Sequence, residues 1–350
     1  MAESKDLILR NIWYLALAGE ALPKGKLIHR QIANEKMVLG RDASGTPFAL
    51  RDNCPHRGVP LSTGHVLDNG NIQCCYHGWE FDSQGICRKI PALPPDSKAD
   101  ITKIKAPKFH VREVNNMIWV YIPEKGSLAD PQRNPPDLHL APSEQFRHVE
   151  SIVLPTNIDH SVIGLIDPAH VTFVHQSWFW RSAKSLKLKT KNFEPTELGF
   201  KMVRHAPSAN SKGYKVLKGD VSTEIFFEIP GNRLEHISVG SRHKVISMTT
   251  LTPIDDQHTE LNQFFYSTIG ITRWLWWPLK SLGRTFIGQD VGVFNKLATG
   301  LKNDPPLMLV GEPDAQARWY YELKKQWYAA QEQSVPFRNP LKAETLHWVT

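Results

Sequence analysis

The amino-acid sequence predicts an α+β protein with two domains, the first all-β and the second an antiparallel sheet combined with helices. The chain has 350 residues, about twice the length of a typical single domain. Short strand-like segments separated by turn residues occupy the part up to residue 125. From residue 147 the alternating segments are longer, and helical stretches follow them. We therefore expect domains at 1–125 and 147–350, joined by a linker at 126–146.

The elements expected in the first domain are short strands and tight turns. Residues 37–51, MVLGRDASGTPFALR, alternate apolar and polar positions around ASG, which is typical of a β-hairpin. Further strands are expected at 71–74, at 79–90 with a turn at Gln84 and Gly85, and at 117–123. The segment that follows, PEKGSLADPQRNPPDLHLAPSE, is rich in Pro, Asp and Ser and lacks a period, which favours a linker.

The second domain is expected to contain a sheet followed by helices. Alternating segments occur at 147–154, 198–206, 221–229, 243–252 and 259–270, so we expect an antiparallel sheet of at least five strands. Two helical stretches, at about 280–301 and 314–331, come after these strands. This order predicts helices packed on one face of the sheet.

Composition excludes several classes of protein. Hydrophobic residues make up 41% and charged residues 22%, as in ordinary globular proteins. The net charge of +7 is spread over short groups such as SLKLKTK at 185–191, which favours a solvated surface over a nucleic-acid site. Neither a signal peptide nor an apolar run of eighteen residues is found, so we expect a soluble, cytoplasmic protein.

Three of the four cysteines lie in one stretch, CPHRGVPLSTGHVLDNGNIQCCYHGW, at residues 54–79. Cys54 precedes His56 by two positions and Cys74 precedes His77 by three, with seventeen residues between the pairs. Zinc fingers instead group two cysteines ahead of two histidines. One Cys and one His from each of two turns match a Rieske [2Fe–2S] site, where two Cys hold one iron and two His the other. A zinc site or a packed core is the alternative.

These loops resemble the Rieske family closely, since CPHRG followed by CCYHGWEFDSQG is nearly its whole two-loop signature. The resemblance implies that the cluster ligands are Cys54, His56, Cys74 and His77. It leaves His65 and Cys75 as bystanders.

A second metal motif is expected in NIDHSVIGLIDPAHVTFVHQSWFW, which contains Asp167, His170 and His175. Two nearby histidines and one distant carboxylate form the facial triad of non-haem Fe(II) oxygenases. Five residues correspond to about 140° around a regular helix, so His170 and His175 would not converge on one ion. Pro168 also disfavours a helical Asp167. We therefore predict a distorted helix, broken or bulged between the histidines.

The third ligand is expected to be Asp290, in TFIGQDVGVFNKL. An unpaired carboxylate on an apolar helix face is costly, and a metal ion would explain it. That face comprises Phe286, Ile287, Val293 and Phe294. Competing carboxylates are Asp255, Asp256, Asp304 and Asp314.

The second motif resembles that of the Rieske non-haem iron oxygenases, in particular single-subunit members related to vanillate O-demethylase and dicamba monooxygenase. The resemblance implies a helix-grip, START-like second domain and a third ligand that is an Asp in a late helix, often preceded by Glu or Gln, as by Gln289 here. It also implies a head-to-tail homotrimer, in which Asp167 bridges His170 to the cluster ligand His77 of a neighbouring subunit. The family often has an Asn three or four residues before this Asp, where this chain has Gly164 and Ile163.

The activity implied is that of an oxygenase component supplied with NAD(P)H electrons by a separate reductase, with or without a ferredoxin. We expect O2-dependent hydroxylation or O- or N-demethylation of an aromatic or other apolar small molecule. cis-Dihydroxylation of an arene uses the same metals and is the main alternative. A Rieske electron-transfer protein without oxygenase activity is a further one.

Two surface features carry weaker expectations. The segment RWLWWPLKSLGR, with three tryptophans at Trp274–Trp277, favours a packed corner over a lid on a substrate channel or a membrane contact. HQSWFWR after His175 is likewise expected to pack around the site. Four basic residues near the cluster have two equally compatible interpretations. They form either a cationic rim for an acidic ferredoxin or reductase, or an ordinary solvated surface. The four residues are Arg51, Arg57, Arg88 and Lys89.

Overall fold

The computed structural model describes residues 8–127, 130–141, 143–175, 186–207, 220–241, 243–269 and 272–350, without the side chains of 272–283 and 286. The chain divides into two compact units. The first comprises Arg10–His139 and Thr252–Asp255, and the second comprises Leu140–Leu251 and Asp256–Thr350. The expected boundaries at 125 and 147 stay a prediction.

The first unit is all-β, as predicted. Its strands are β1 Ile12–Ala18, β2 Ile28–Ile32, β3 Glu35–Arg41, β4 Pro47–Arg51, β5 His65–Val66, β6 Ile72–Gln73, β7 Glu80–Phe81, β8 Cys87–Lys89, β9 Lys108–Phe109, β10 Val111–Val114 and β11 Met117–Ile122. They form three sheets, ordered β1-β11-β10, β2-β3-β4-β9 and β5-β6-β7-β8.

The expected hairpin at 37–51 is confirmed, because β3 pairs with β4 from Met37 opposite Arg51 to Arg41 opposite Pro47. The turn at Gln84 and Gly85 is also present, with Gly85 in the left-handed region at φ +77°. Strand β1 was not predicted. Every one of its residues is buried, so it lacks the alternation that marks a half-exposed strand.

The second unit contains an eight-stranded antiparallel sheet, ordered β12-β18-β17-β16-β15-β14-β13-β19. Its strands are β12 Gln145–Leu154, β13 Leu188–Pro195, β14 Gly199–His205, β15 Val221–Glu228, β16 Asn232–Val239, β17 His243–Pro253, β18 Thr259–Ser267 and β19 Glu344–Val349. The five strands expected from sequence are confirmed, and β13, β16 and β19 are additional. β19 follows the helices in the chain and returns to the sheet edge beside β13.

Helices accompany the sheet, as the predicted α+β class requires. They are α1 Ile158–Ile166, α2 Val171–Val174, α3 Thr272–Leu301 and α4 Ala315–Glu332. α3 begins eight residues before the expected position, so the backbone of the Trp274–Trp277 segment is part of this helix. The side chains of that segment lie outside the described residues, and so do residues 176–181, the part of HQSWFWR that follows His175.

A buried ion pair joins α1 to α4. The Nζ of Lys324 donates to Oδ1 of Asp159 at 2.6 Å, and the hydroxyl of Tyr320 donates to the same oxygen at 2.7 Å. Both charged groups are buried, so this pair fixes the position of α1, which leads into the second metal motif. No helix in the described part of the chain has the length and apolar character needed to span a bilayer.

Candidate metal centres

Two loops of the first unit carry the predicted cluster ligands, and the backbone closes both in the same way. The N–H of Gly58 donates to the carbonyl of Cys54 at 2.9 Å, and the N–H of Gly78 donates to the carbonyl of Cys74 at 3.1 Å. Both glycines lie in the left-handed region, at φ +78° and +67°. A side chain is strained there, which explains the glycine that ends each motif.

The loops bring the predicted ligands together in two pairs. Cys54 and Cys74 are buried, free of disulfides and within hydrogen-bonding reach of each other. The imidazoles of His56 and His77 lie edge to face with centroids 4.6 Å apart. His56 also stacks on Trp79 at 4.4 Å, which limits its rotation.

The electrostatics of the loops suit iron binding. Burial raises the pKa of the Cys54 thiol to about 11, and the Cys74 thiol contributes to the rise. Burial, followed by the positive charges of His77 and Arg57, lowers the pKa of His56 and favours the neutral imidazole that ligates metals. Two adjacent cysteine sulfurs beside two adjacent imidazoles are the ligand set of a Rieske [2Fe–2S] cluster, so these four residues fit that group.

The two bystanders are placed as expected. His65 is exposed in β5, and Cys75 is exposed with its sulfur 3.2 Å from the hydroxyl of Thr63. Neither side chain belongs to the two ligand pairs.

Sequence reasoning missed Asp52, which anchors the first loop. Its buried carboxylate accepts hydrogen bonds from the N–H and the hydroxyl of Ser62, at 2.7 and 2.6 Å. Nδ1 of His29 lies 2.6 Å from the same carboxylate. Asp52 stands two residues before Cys54, so a carboxylate so close to a motif cysteine was the available signal.

In the second unit, the chain distorts where the second motif predicted it. α1 ends at Ile166, Asp167 is extended at ψ 118°, and α2 is a single turn. His170 caps the N-terminus of α2, and His175 ends it with a non-helical ψ of 53°. The imidazole centroids are therefore only 5.4 Å apart. A one-turn helix achieves the convergence that a regular helix would prevent.

Asp290 of α3 completes a three-residue group with these histidines. Its Oδ1 lies 3.1 Å from Nε2 of His175 and 3.9 Å from Nε2 of His170. One potential ligand atom from each residue lies within 4.8 Å of the other two. A carboxylate and two imidazoles so arranged suit a non-haem iron with open positions. Their role as ligands stays a prediction.

The helix face proposed for Asp290 is partly confirmed. Ile287 and Phe294 are buried, but Val293 is 43% exposed. None of the four competing carboxylates, at Asp255, Asp256, Asp304 and Asp314, is among the residues that line the cavity at this site.

Neighbouring side chains orient the two histidines differently. Oε1 of Gln289 lies 3.1 Å from Nδ1 of His175, so that nitrogen donates and Nε2 faces Asp290. Oδ2 of Asp167 lies 3.5 Å from Nδ1 of His170. That nitrogen is buried without a hydrogen-bond acceptor among the described residues. Asp167 and His170 therefore form an ion pair at 3.5 Å rather than a close hydrogen bond, while Oδ1 of Asp167 accepts the Ala169 N–H at 2.6 Å. The bridging role of Asp167 stays a prediction.

The three residues lie on the wall of a cavity of about 380 Å³, a size that accommodates a small molecule. Alternate residues of β13–β19 form one wall, and α1, α2, α3 and the start of α4 supply the others. Most of the lining is apolar, including Phe193, Phe200, Phe227, Leu261 and Phe294. Lys189 and Lys191 also line it, so interpreting SLKLKTK as a solvated surface was wrong for these two lysines.

Comparison with known proteins identifies the first unit. Residues 12–112 match the Rieske [2Fe-2S] domain family. The chain is 36% identical over 175 residues to chlorophyllide a oxygenase, chloroplastic, of Chlamydomonas reinhardtii, covering 49% of this chain and 25% of that protein. It is 31% identical over 197 residues to the 5,5'-dehydrodivanillate O-demethylase oxygenase subunit of Sphingobium sp., covering 55% of this chain and 43% of that protein. The match thus spans less than half of either relative.

The whole fold has a counterpart among solved structures. Dicamba monooxygenase bound to dicamba superposes with a TM-score of 0.71 at 23% identity, covering 91% of this chain and 98% of that one. The two-domain architecture is therefore shared, and the expected fold class is confirmed. The resemblance of the two loops to the Rieske family is confirmed by the match of residues 12–112 to the Rieske [2Fe-2S] domain family.

Proposed function

We propose that this chain, a Rieske-domain protein with the fold of dicamba monooxygenase, is the oxygenase component of a multicomponent monooxygenase. It uses O2 and NAD(P)H-derived electrons to hydroxylate, or to O- or N-demethylate, an aromatic or other apolar small molecule. The observation that carries the proposal is the convergence of His170, His175 and Asp290 on the wall of a cavity. An electron-transfer protein would have no use for a second metal site beside a cavity.

In this proposal the second site holds Fe(II), which supplies the open positions for O2 activation when it is bound. Gln289 keeps Nδ1 of His175 protonated, and so directs the lone pair of Nε2 toward the ion. The carboxylate of Asp290 offsets part of the ion's charge. The apolar lining orients an apolar substrate against this wall and excludes bulk water from it.

Electrons are proposed to reach the iron from the cluster of a neighbouring subunit. His77 is part-exposed, and the ring of the 55% exposed Tyr76 lies 3.8 Å from its own. Asp167 and His170 are also part-exposed, at 32% and 22% of their side chains. Both ends of a short path are thus accessible at the surface, which suits the head-to-tail homotrimer expected from sequence. Sedimentation velocity checks this oligomeric state.

The cationic rim expected near the cluster receives little support. Arg51 pairs with Glu35 at 2.8 Å and Arg88 pairs with Asp82 at 2.6 Å. Lys89 lies 3.5 Å from Glu80. Each of these three cations has a carboxylate of the same unit as a partner, although Glu35 also pairs with Arg10 at 3.2 Å. We therefore propose a reductase or ferredoxin partner without assigning its footprint. A cytoplasmic location is likewise proposed from the reduced cysteines and is checked by cell fractionation.

The experiment that tests the function compares wild type with His170→Ala and, as a matched control, His65→Ala. Iron and acid-labile sulfide are measured on purified protein, together with the EPR signal of the reduced cluster. We expect about three irons and two sulfides per protomer in wild type and the control. His170→Ala should lose one iron, keep the cluster signal and lose O2-dependent substrate turnover.

Two outcomes would contradict the proposal. A wild-type protein with only the two cluster irons, together with unchanged turnover in His170→Ala, would leave an electron-transfer protein. With an active substrate, a cis-diol containing two 18O atoms from 18O2 would show dihydroxylation instead. A mono-ol, or formaldehyde with the demethylated product, is the expected result.

A further inference from the structure

The cavity wall contains an ammonium group that the proposed reaction does not use. Lys189, Lys191 and Phe193 are alternate residues of β13 and line the cavity together. Lys191 is half-buried, and its only hydrogen bond among the described residues is a long one, 3.4 Å, to the carbonyl of Ala206. Burial, followed by repulsion from Lys189, lowers its pKa to about 8.

Three other polar side chains of this wall have ion-pair or hydrogen-bond partners. Arg233 and Glu235 form an ion pair at 3.1 Å. Both ring nitrogens of His205 have partners, the carbonyl of Val203 at 2.9 Å and the hydroxyl of Thr223 at 3.1 Å. Burial lowers the pKa of His205, so this imidazole is neutral.

Lys191 forms no ion pair in the described part of the chain. Burying half of an ammonium group without a carboxylate partner lowers the stability of the folded protein. A bound anionic ligand would supply the missing partner.

The placement of Lys191 relative to the histidines is set by the edge of the sheet. The backbone of Lys187 exchanges two hydrogen bonds with Thr350, both 3.1 Å. The hydroxyl of Thr350 lies 2.8 Å from that of Thr172, between His170 and His175. Lys191 is four residues further along the strand, about 13 Å at ~3.3 Å per residue. A ring-sized ligand with one charged substituent, together with the extended side chain of Lys191, is long enough to reach from this lysine to the region of the two histidines.

We propose that Lys191, assisted by Lys189, binds an oxyanion substituent of the substrate, a carboxylate or a sulfonate, at the end of the cavity away from His170 and His175. This deepens the proposed function, on which it rests, by naming the substrate class: an apolar, ring-sized molecule with one anionic group. Charge-assisted hydrogen bonds of this kind are strong enough to discriminate an anion from its neutral isostere.

The test measures binding to the holoprotein by calorimetry, with a panel of ring anions and their neutral amides. The panel is benzoate, 3-methoxybenzoate, 4-methoxybenzoate and benzenesulfonate, each against the corresponding amide. Wild type should bind at least one anion about tenfold or more tightly than its amide. Lys191→Met should abolish the preference without weakening the amide, and Lys191→Arg should retain most of it.

Lys201→Met is the matched control. Lys201 lies on the neighbouring strand β14, does not line the cavity, and pairs with Glu194 at 3.2 Å and Glu224 at 3.6 Å. This variant should keep the anion preference.

The proposal is overturned if no anion of the panel binds more tightly than its amide. It is also overturned if Lys191→Met leaves the preference intact, because the anion would then be bound elsewhere, at the iron for example. Iron content and O2 consumption are measured on the same samples. An anion preference in a wild-type protein that holds only the two cluster irons would contradict the proposed function alone, and turnover without the preference would contradict this proposal alone.

Discussion

Gly164 in α1 offers a sharp test of how the cavity wall positions the second metal site. A Cβ atom at this position would lie 2.6 Å from Cζ and 3.1 Å from Cε1 of Phe294. Phe294 is buried, and it stands one helical turn after Asp290 on the same face of α3. The perturbation Gly164→Ala therefore adds one methyl group between α1 and the helix that carries the proposed third ligand.

Two opposing terms decide the expected magnitude. Alanine in place of glycine within a helix stabilises by up to about 1 kcal/mol. The contact at 2.6 Å is about 1 Å shorter than a favourable carbon–carbon distance, and overpacking of this kind costs about 1–3 kcal/mol. We expect a net loss of about 1 kcal/mol in the free energy of unfolding.

The larger effect should be on the iron. Metal–ligand distances tolerate only about 0.2 Å, so a shift of α3 that relieves the contact would move Asp290 out of range. We expect Gly164→Ala to lose the third iron while it keeps the two irons and two sulfides of the cluster. Urea denaturation gives the stability, and iron and sulfide analysis gives the occupancy.

Gly292→Ala on α3 is the matched control, because a Cβ atom added at Gly292 would have no heavy atom of the described residues within 4 Å, apart from its chain neighbours and the adjacent helix backbone. It should stabilise by up to about 1 kcal/mol and keep full iron. Adding Phe294→Leu to Gly164→Ala should restore iron occupancy, since the ring tip is removed. If Gly164→Ala is as stable as Gly292→Ala and retains the third iron, the reasoning is refuted.

Lys324→Met should lower the free energy of unfolding by about 3–5 kcal/mol at pH 7, because buried Asp159 loses its cation. The double variant with Asp159→Asn should recover most of this loss in urea denaturation. A double variant as unstable as Lys324→Met would contradict the assignment of a buried ion pair. Gln289→Leu should weaken iron binding about 10–100-fold in chelator competition, because Nδ1 of His175 loses its hydrogen-bond acceptor. Gln289→Glu retains an acceptor oxygen and should not weaken iron binding. Lys191→Met should raise the unfolding midpoint at pH 7. Because the pKa of Lys191 falls to about 8 from 10.5, the folded state binds fewer protons than the unfolded state between these values. The stability of the wild type therefore rises as the pH rises from about 8, and the advantage of Lys191→Met over the wild type should shrink. An advantage that does not change with pH would contradict the burial argument.

The cluster site could be predicted from sequence because each half of it is local. Cys54 and His56 lie in one turn closed by a backbone bond to Gly58, and Cys74 and His77 lie in a second turn of the same kind. Within such a turn, residue spacing alone decides which side chains point the same way. The distortion at His170 and His175 was predictable for the same reason, since five residues on a regular helix diverge.

Other parts of the site depend on contacts between distant segments. Asp290 was identified from its apolar helix face and from the family resemblance, but only the packing of α3 brings it to 3.1 Å from His175, 115 positions earlier in the chain. Gln289 is an ordinary polar residue in sequence, and it becomes an orienting group only through that same packing.

The sequence by itself determined the expected metal chemistry of the two cluster loops and of the His170–His175 motif, because those candidate ligands are read from short-range spacing and residue type. Only the tertiary structure decided which charges face the cavity. In SLKLKTK every second residue is a lysine, and alternation shows that these lysines share one face of a strand without showing which face is covered. The pairing of β13 with β14 on one side and with β19, about 150 residues later, on the other sets that face. Long-range strand pairing is therefore the reason that Lys191 lines the cavity, although the sequence predicted that it would lie on a solvated surface.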